Sequence, residues 1–174
     1  GMVTAMLLSR FRTLEEYGTY SQLLMVISIT TSIISLGIPN SINYFLARAE
    51  SDQEKQKFLS VYYSLNTLIS FATGLVLVLS APLIASYFNN PLIDSFVYFL
   101  AVFPWTQIIQ ASIENLLIVY QKTTGIIVFR VLNSLLLIGI IVVVQLLNWN
   151  FQAFLILFLV IQVLFSISTY LIAK

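Results

Sequence analysis

Five apolar stretches, each long enough to cross a bilayer, constrain this chain more than any other feature. A membrane-spanning helix needs about 20 predominantly apolar residues. Only 9% of the 174 residues are charged, against roughly 25% in a soluble domain, so the chain could not cover its surface in water. We place the spans near residues 18–45, 58–86, 95–119, 124–146 and 151–173. The sequence therefore predicts an all-α, polytopic membrane helix bundle that forms a single transmembrane domain over residues 1–174.

The two ends of the sequence are apolar as well. Residues 1–8 are too short to span a bilayer and are typical of the end of a truncated sixth helix. They lack the basic start, the longer apolar core and the cleavage site of a signal peptide. Because the chain opens within one apolar segment and closes directly after another, we expect it to be a fragment of a longer protein.

Lys and Arg residues concentrate on one side of the predicted bundle. The connection 47–57 carries three, the turn 121–124 carries one, and the chain ends on Lys174. The other side has only Arg10 and Arg12, before the first complete span. Short loops rich in Lys and Arg stay in the cytoplasm. We therefore expect a multi-pass protein of the cell membrane with the 47–57 loop inside the cell.

The composition argues against several classes of function. The chain has no Cys and no His, so no disulfide, no Cys/His metal site and no Ser–His or Cys nucleophile can form within it. A net charge of +1 provides no basic patch for nucleic acid. Acidic residues other than Glu114 fall in polar connections or near a helix start, which gives carboxylate catalysis little support. We expect no enzyme activity, no metal, no cofactor and no nucleic-acid partner.

Glu114 and Arg130 are the charged residues that lie deep inside predicted spans. Each is eight residues from Lys122, which lies in the turn between the third and fourth spans. Antiparallel neighbours rise about 1.5 Å per residue, so the two charges should lie at the same depth and form a pair. Intramembrane charges usually face a bundle interior or a watery cavity. A structural clasp and a role in substrate or ion handling both remain open, because a buried pair need not add net stability.

Polar residues in the spans recur at helical spacing. Gln107, Gln110 and Glu114 follow an i, i+3, i+7 pattern, and Arg130 and Asn133 share a face. The remaining stripes are Ser28, Thr31, Ser32 and Ser35 in the first span, Ser60, Ser64, Thr67 and Gly74 in the second, and Gln162, Ser166 and Thr169 in the last. Such stripes pack helices together through small residues and hydrogen bonds, or they line a water-filled cavity. The larger polar side chains fit a cavity wall as well as they fit packing.

Residues 8–22 resemble a known family of membrane proteins. They contain an Arg, a Leu, a short acidic segment and then Tyr-Gly-x-Tyr. Within this pattern, Arg10 and residues 16–18 come nearest to a signature. Residues 37–41 (Gly-Ile-Pro-Asn-Ser) and 43–45 (Asn-Tyr-Phe), followed by a charged loop, look like the same family's second helix and its exit. The chain thus resembles the O-antigen and capsular polysaccharide flippases, within the multidrug/oligosaccharidyl-lipid/polysaccharide flippase superfamily.

That resemblance implies a transporter with two six-helix lobes around a central cavity. Such proteins move a lipid-linked oligosaccharide, carried on a polyprenyl pyrophosphate in the membrane lipid, from the cytoplasmic to the outer leaflet by alternating access. This chain would be most of the N-terminal lobe, and a missing C-terminal lobe or a second copy would complete the cavity.

The resemblance also suggests roles for individual residues. Arg130 would contact the pyrophosphate, because Arg presents a planar fork of donors, and Glu114 would tune it. Arg48, at the cytoplasmic mouth, would be a second head-group contact or a topology anchor. The residues expected to hydrogen-bond sugar hydroxyls are Gln107, Gln110 and Asn133.

Three other functions stay open. A cation-coupled multidrug exporter of the same superfamily would use Glu114, although Arg130 beside it would repel an organic cation. A membrane-embedded glycan polymerase or transferase needs a large external loop or an acidic cluster, and the predicted external loops are short. A non-transporting assembly subunit would need neither the charge pair nor the polar stripes.

Overall fold

The computed structural model describes residues 2–35 and 38–173, with side chains outside the description at 2–5, 35, 39, 40, 169, 172 and 173. Within these residues 89% of the chain is helical and there is no strand, which agrees with the predicted all-α class. The helices are α1 (Met2–Phe11), α2 (Leu14–Ser35), α3 (Ile38–Leu46), α4 (Asp52–Phe88), α5 (Leu92–Ser95), α6 (Val97–Val119), α7 (Thr123–Leu146) and α8 (Phe151–Ala173).

Helix bounds follow the predicted spans closely in the second half of the chain. The bounds of α6, α7 and α8 differ from the prediction by at most two residues. Within the predicted span 18–45 the structure describes two helices, α2 and α3. Residues 36 and 37, which belong to this span and to the Gly-Ile-Pro-Asn-Ser motif, lie outside the described residues, as do the side chains of residues 39 and 40. Ser35 and Thr169, each part of a predicted stripe, also have side chains outside the description.

Two helices begin earlier than hydropathy predicts because their first turns are capped. The Ser51 hydroxyl accepts a hydrogen bond from the Glu54 N–H at 3.2 Å, so α4 starts at Asp52 rather than near residue 58. At the start of α2, the Thr13 hydroxyl accepts from the Glu16 N–H and the Glu16 carboxylate accepts from the Thr13 N–H, both at 3.2 Å. This reciprocal pair is a capping box, which satisfies donors that a helix start leaves free.

Three helices are followed, one or two positions after their last residue, by a residue in the left-handed backbone region. Asn89, Gln121 and Asn148 have φ values of 49°, 53° and 50°. In each case the following N–H donates to the carbonyl five positions back, as Lys122 does to Leu117 at 2.9 Å. This Schellman arrangement satisfies carbonyls at a helix end and turns the chain sharply. It sets the tight connections after α4, α6 and α7.

Three of the described helices are long and apolar enough to cross a membrane. They are α4, α7 and residues 151–168 of α8. The polar stripe of α6, with two Gln and a Glu, lowers its mean hydropathy, and α2 begins with Glu15 and Glu16. Among the described residues the chain is thus helical, and three helices have the length and composition of membrane spans. The count of five spans and part of a sixth stays a prediction.

Helix α6 is the central element of the bundle. It contacts α2, α3, α4, α7 and α8, and it buries large side chains such as Phe99, Phe103 and Ile113. Gly74 on α4 allows a close approach to α6, because a Cβ there would overlap the carbonyl oxygen of Ala101. Small residues at such crossings let membrane helices pack backbone to backbone.

The apolar core of the described chain falls into two clusters. The first includes Leu77, Phe103 and Phe158 and lies toward the end that carries the 89–91 and 147–150 turns. The second includes Tyr63, Ile109 and Phe165 and lies toward the end that carries the 47–51 and 120–122 turns. In α4, α6 and α8 the residues between the clusters are polar and buried. These buried residues are Asn66, Ser70, Thr73, Thr106 and Gln162.

We call this zone the polar layer. It also contains Thr31 of α2, which is buried, and the half-buried Asn133 of α7. A polar zone at mid-height is costly in a membrane bundle unless every group finds a partner. It is therefore the first place to look for function.

Candidate functional site

Glu114 and Arg130 form the ion pair that their spacing predicts. Arg130 Nη2 donates to Glu114 Oε2 at 2.8 Å and Arg130 Nε donates to Glu114 Oε1 at 3.1 Å. Two parallel hydrogen bonds between a guanidinium and a carboxylate are the strongest geometry for such a pair. The hairpin of α6 and α7, closed by the turn at Gln121, brings the two residues to the same height.

The pair is open on one side. The Arg130 side chain is 66% exposed and that of Glu114 is 29% exposed. Arg130 lies about 11 Å along α7 from its start at Thr123, at a rise of 1.5 Å per residue. The guanidinium has five N–H donors, and Glu114 takes two of them. Donors thus remain available on the open side for a second anion.

A groove of about 380 Å³ runs between α2 and α6 beside this pair. One wall is the predicted α6 stripe, and the other is the hydroxyl band of α2. The groove is lined by Ser28, Thr31, Ser32, Gln107, Ile108, Gln110, Ala111 and Glu114. Ligand sites in proteins occupy about 300–1,000 Å³, so this groove is large enough for part of a ligand.

Of the two Gln side chains that line this groove, Gln107 has the amide more available to hydrogen-bond a ligand. Its Oε1 accepts a hydrogen bond from the Thr31 hydroxyl at 3.2 Å. Its Nε2 reaches the Ser28 hydroxyl only at 3.5 Å, which is longer than the usual 2.7–3.2 Å. The amide nitrogen is therefore held weakly and faces a groove where a ligand could replace Ser28.

Gln110, Asn133 and Gln162 form a closed ring of amide hydrogen bonds. Gln110 Nε2 donates to Gln162 Oε1 at 2.6 Å, Gln162 Nε2 donates to Asn133 Oδ1 at 2.9 Å, and Asn133 Nδ2 donates to Gln110 Oε1 at 3.2 Å. The ring links α6, α7 and α8 inside the polar layer. Gln110 Nε2 also reaches the Ser166 hydroxyl at 3.3 Å.

The ring changes what two of the predicted residues can do. Gln110 still lines the groove, but its amide oxygen and nitrogen are both engaged. Asn133 does not line the groove and contacts its wall through Gln110. Gln162 was not predicted as a site residue, although its alignment with Ser166 on α8 was the available signal.

Arg48 lies apart from these residues, in the turn between α3 and α4. Its guanidinium lies over the Tyr44 ring, 3.7 Å from the centroid, a cation–π contact. It does not line the α2–α6 groove. Among the described residues no group of three acidic side chains lies close enough to hold a metal ion.

Comparison with known proteins identifies the family. A family model described as "polysaccharide biosynthesis protein" matches residues 7–174. Comparison with curated proteins finds no match of significance, and neither does comparison with solved structures. The match covers all the helices that form the groove, the ion pair and the amide ring, and it confirms the resemblance to flippase-type polysaccharide proteins. With its apolar helices, the chain is a membrane protein that belongs to the polysaccharide biosynthesis protein family.

Proposed function

We propose that this chain is part of a flippase that moves a lipid-linked oligosaccharide from the cytoplasmic to the outer leaflet of the cell membrane. One observation carries the proposal: a polar layer crosses the middle of the bundle, and a groove opens from it beside the Glu114–Arg130 pair. Transporters bind substrate near the bilayer midplane and expose the site to each side in turn. Membership of a polysaccharide biosynthesis family supports a glycan as the cargo.

The ion pair and the groove beside it share the contacts with the head group. The free donors of Arg130 bind the pyrophosphate, and Glu114 fixes the orientation of the guanidinium through its two hydrogen bonds. Gln107 binds a sugar hydroxyl through its weakly held amide nitrogen. Gln110 forms the groove wall, and Asn133 acts as a positioning residue that holds Gln110 in place. Arg48 contributes to topology rather than to binding, since its guanidinium is engaged with Tyr44.

A second half completes the cavity in this proposal. The five predicted spans and the end of a sixth make one lobe, and a C-terminal lobe or a second copy of the chain supplies the facing wall. An antibody against residues 50–57 tests this on membranes of the source cell. A band of at least about double 19.7 kDa indicates a second lobe on the same chain, and a band at 19.7 kDa requires two copies.

The transport test uses liposomes that contain the protein and a fluorescent polyprenyl-pyrophosphate-linked sugar, with a membrane-impermeant quencher outside. We expect Arg130→Gln and Glu114→Gln to slow the movement of the probe by about tenfold or more. The physical reason is that a hydrogen bond to a charged group contributes about 1.5–3 kcal/mol. The matched control is Asp52→Asn, which removes the acidic partner of the exposed Asp52–Lys55 pair and should leave transport unchanged.

Other outcomes of the same assay point elsewhere. Transport that survives in both variants, with normal insertion and folding, would mean that the pair is only a structural clasp. Absence of transport by the unaltered protein would favour a non-transporting assembly subunit. A protein that moves an organic cation such as ethidium, and not the lipid-linked sugar, would favour a multidrug exporter. The short distance from Glu114 to Arg130 argues against that exporter, because the carboxylate is already neutralised.

A further inference from the structure

A second groove lies on the opposite face of α6, bounded by α4, α6 and α8. It has a volume of about 620 Å³, well within the range of ligand sites. Trp105 and Ile109 line it from α6, and at 3.6 residues per turn they lie about half a turn away from Gln107. This groove is therefore separate from the one that holds Glu114.

A row of hydroxyls runs along its α4 wall. Ser60, Ser64 and Thr67 line the groove and are exposed, as the sequence stripe predicts for one helix face. Neither serine hydroxyl forms a hydrogen bond with any residue that the structure describes. Ser64 lies about 18 Å along α4 from Asp52, within the predicted span 58–86. Free hydroxyls at that depth need a polar partner, because lipid tails provide none.

Tyr63 adds a buried polar group to the same wall. The residue lines the groove and is 7% exposed, and its hydroxyl oxygen has no hydrogen-bond partner among the described residues. Its ring packs edge-on against Tyr170, with 4.8 Å between the centroids. Buried polar groups almost always have a partner, so a ligand that draws this hydroxyl toward the groove would satisfy it.

Trp105 contributes a donor that is only weakly engaged. Its indole N–H reaches the Thr67 hydroxyl at 3.4 Å, beyond the usual range for such a bond. Leu68 and Phe71, the next residues along the α4 wall, are exposed and apolar. The groove therefore has a hydroxyl-lined end and an apolar end.

The chemistry of the lining selects one kind of occupant. None of the described residues that line this groove is charged, so the phosphate or ammonium of a phospholipid would find no opposite charge. Hydroxyl groups donate and accept at once, and they match the hydroxyls of a neutral sugar. We propose that this groove binds a neutral glycolipid, with its sugar on Ser60, Ser64 and Tyr63 and its tail along Leu68 and Phe71. The site goes beyond the proposed transport and holds whether or not the chain moves lipid across the bilayer.

The test measures which lipid stays on the protein. The protein is placed in phosphatidylcholine nanodiscs that contain equal small amounts of monoglucosyl diacylglycerol and phosphatidylglycerol, and native mass spectrometry then counts the retained lipids. We expect the glucosyl lipid to be enriched over both phospholipids. Tyr63→Phe removes only the unpartnered hydroxyl and should lower that enrichment by about two- to tenfold.

The control is Tyr98→Phe, because Tyr98 also has a buried hydroxyl without a partner but does not line the groove. It should leave the enrichment unchanged. A second variant, Ser64→Leu, fills the groove from the exposed face of α4 and should abolish enrichment while phosphatidylcholine is retained as before. Equal retention of all three lipids, preference for phosphatidylglycerol, or equal losses in the two Tyr→Phe variants would overturn the proposal.

Discussion

Gly74 is a residue at which the packing of α4 against α6 leaves no room for a side chain. A Cβ at this position would overlap the Ala101 carbonyl oxygen and lie 3.1 Å from its carbonyl carbon. The obstacle is backbone, so it cannot rotate away as a side chain does. We expect Gly74→Ala to lower the free energy of unfolding by about 1–3 kcal/mol, which is the usual cost of overpacking. Unfolding in detergent micelles with increasing SDS measures the change.

Gly139 provides the matched control in α7. A Cβ built there has no other atom within 4 Å, so Gly139→Ala should be neutral or should stabilise by up to about 1 kcal/mol. If the two alanine variants were equally stable, the close contact between α4 and α6 would not limit the fold.

At the residue scale, the sequence predicts some contacts of the candidate site and not others. The Glu114–Arg130 contact could be predicted because a tight turn fixes the register of a helix hairpin, and counting from Lys122 then suffices. The exposure of Arg130 could not, since it depends on which neighbours surround α7. The site containing Trp105 and Tyr63 was also missed, because nothing local predicts that residues 42 positions apart line one groove.

At the scale of the elements, the amide ring holds three helices together. Gln162→Leu removes one partner from Gln110 and one from Asn133. Interhelical hydrogen bonds in membrane proteins contribute about 0.6–1.7 kcal/mol each, so we expect a loss of about 1–3 kcal/mol in the same SDS titration. The ring would thus stabilise the docking of α8 onto α6 and α7.

The triple variant Gln110→Leu, Asn133→Leu and Gln162→Leu separates two explanations. Replacing all partners of a polar network by apolar groups is often close to neutral, whereas leaving one partner unpaired is costly. We therefore expect the triple variant to be more stable than Gln162→Leu alone. A loss that grows with each substitution would mean that the hydrogen bonds themselves, and not the avoidance of unpaired amides, stabilise the bundle.

Element boundaries were predictable where a turn has strong local chemistry and less so elsewhere. The turns after α6 and α7 are polar and short, and the predicted bounds there agree with the structure. The early start of α4 was missed because hydropathy ignores the cap that Ser51 provides. The early start of α2 was missed in the same way, although the sequence contains the Thr-x-x-Glu pattern of a capping box. In the structure Thr13 and Glu16 form that capping box. The polar layer could not be predicted, because it depends on how the polar stripes of several helices face one another. The sequence of a single helix does not specify that arrangement.

At the scale of the whole molecule, hydrogen bonds between distant turns define one end of the bundle. Both terminal nitrogens of Arg12 donate to the Trp149 carbonyl at 3.1 Å. Asn90 Nδ2 donates to Thr19 at 2.8 Å and to Gln22 at 2.7 Å. The turns after α1, α4 and α7 therefore share one end, which is the end that the distribution of Lys and Arg predicts to face outward.

This arrangement predicts the outcome of cysteine labelling. The chain contains no Cys, so single cysteines can be introduced without altering any other thiol. Positions Gln56, Pro91, Thr124 and Leu147 are exposed and alternate between the two ends of the bundle. With a membrane-impermeant maleimide on intact cells, we expect Pro91→Cys and Leu147→Cys to be labelled. Gln56→Cys and Thr124→Cys should be labelled only after the membrane is made permeable.

The same experiment decides whether α6 crosses the membrane. Its polar stripe leaves it without a stretch as apolar as those of α4, α7 and α8. We nevertheless expect α6 to span the bilayer, because the five helices that it contacts shield its polar groups. Opposite labelling of Pro91→Cys and Thr124→Cys requires α6 to cross between them. If both react from the same side, α6 does not span the bilayer, and a midplane site built on Gln107 and Glu114 is excluded. Labelling of Gln56→Cys in intact cells would instead mean that the whole topology is inverted.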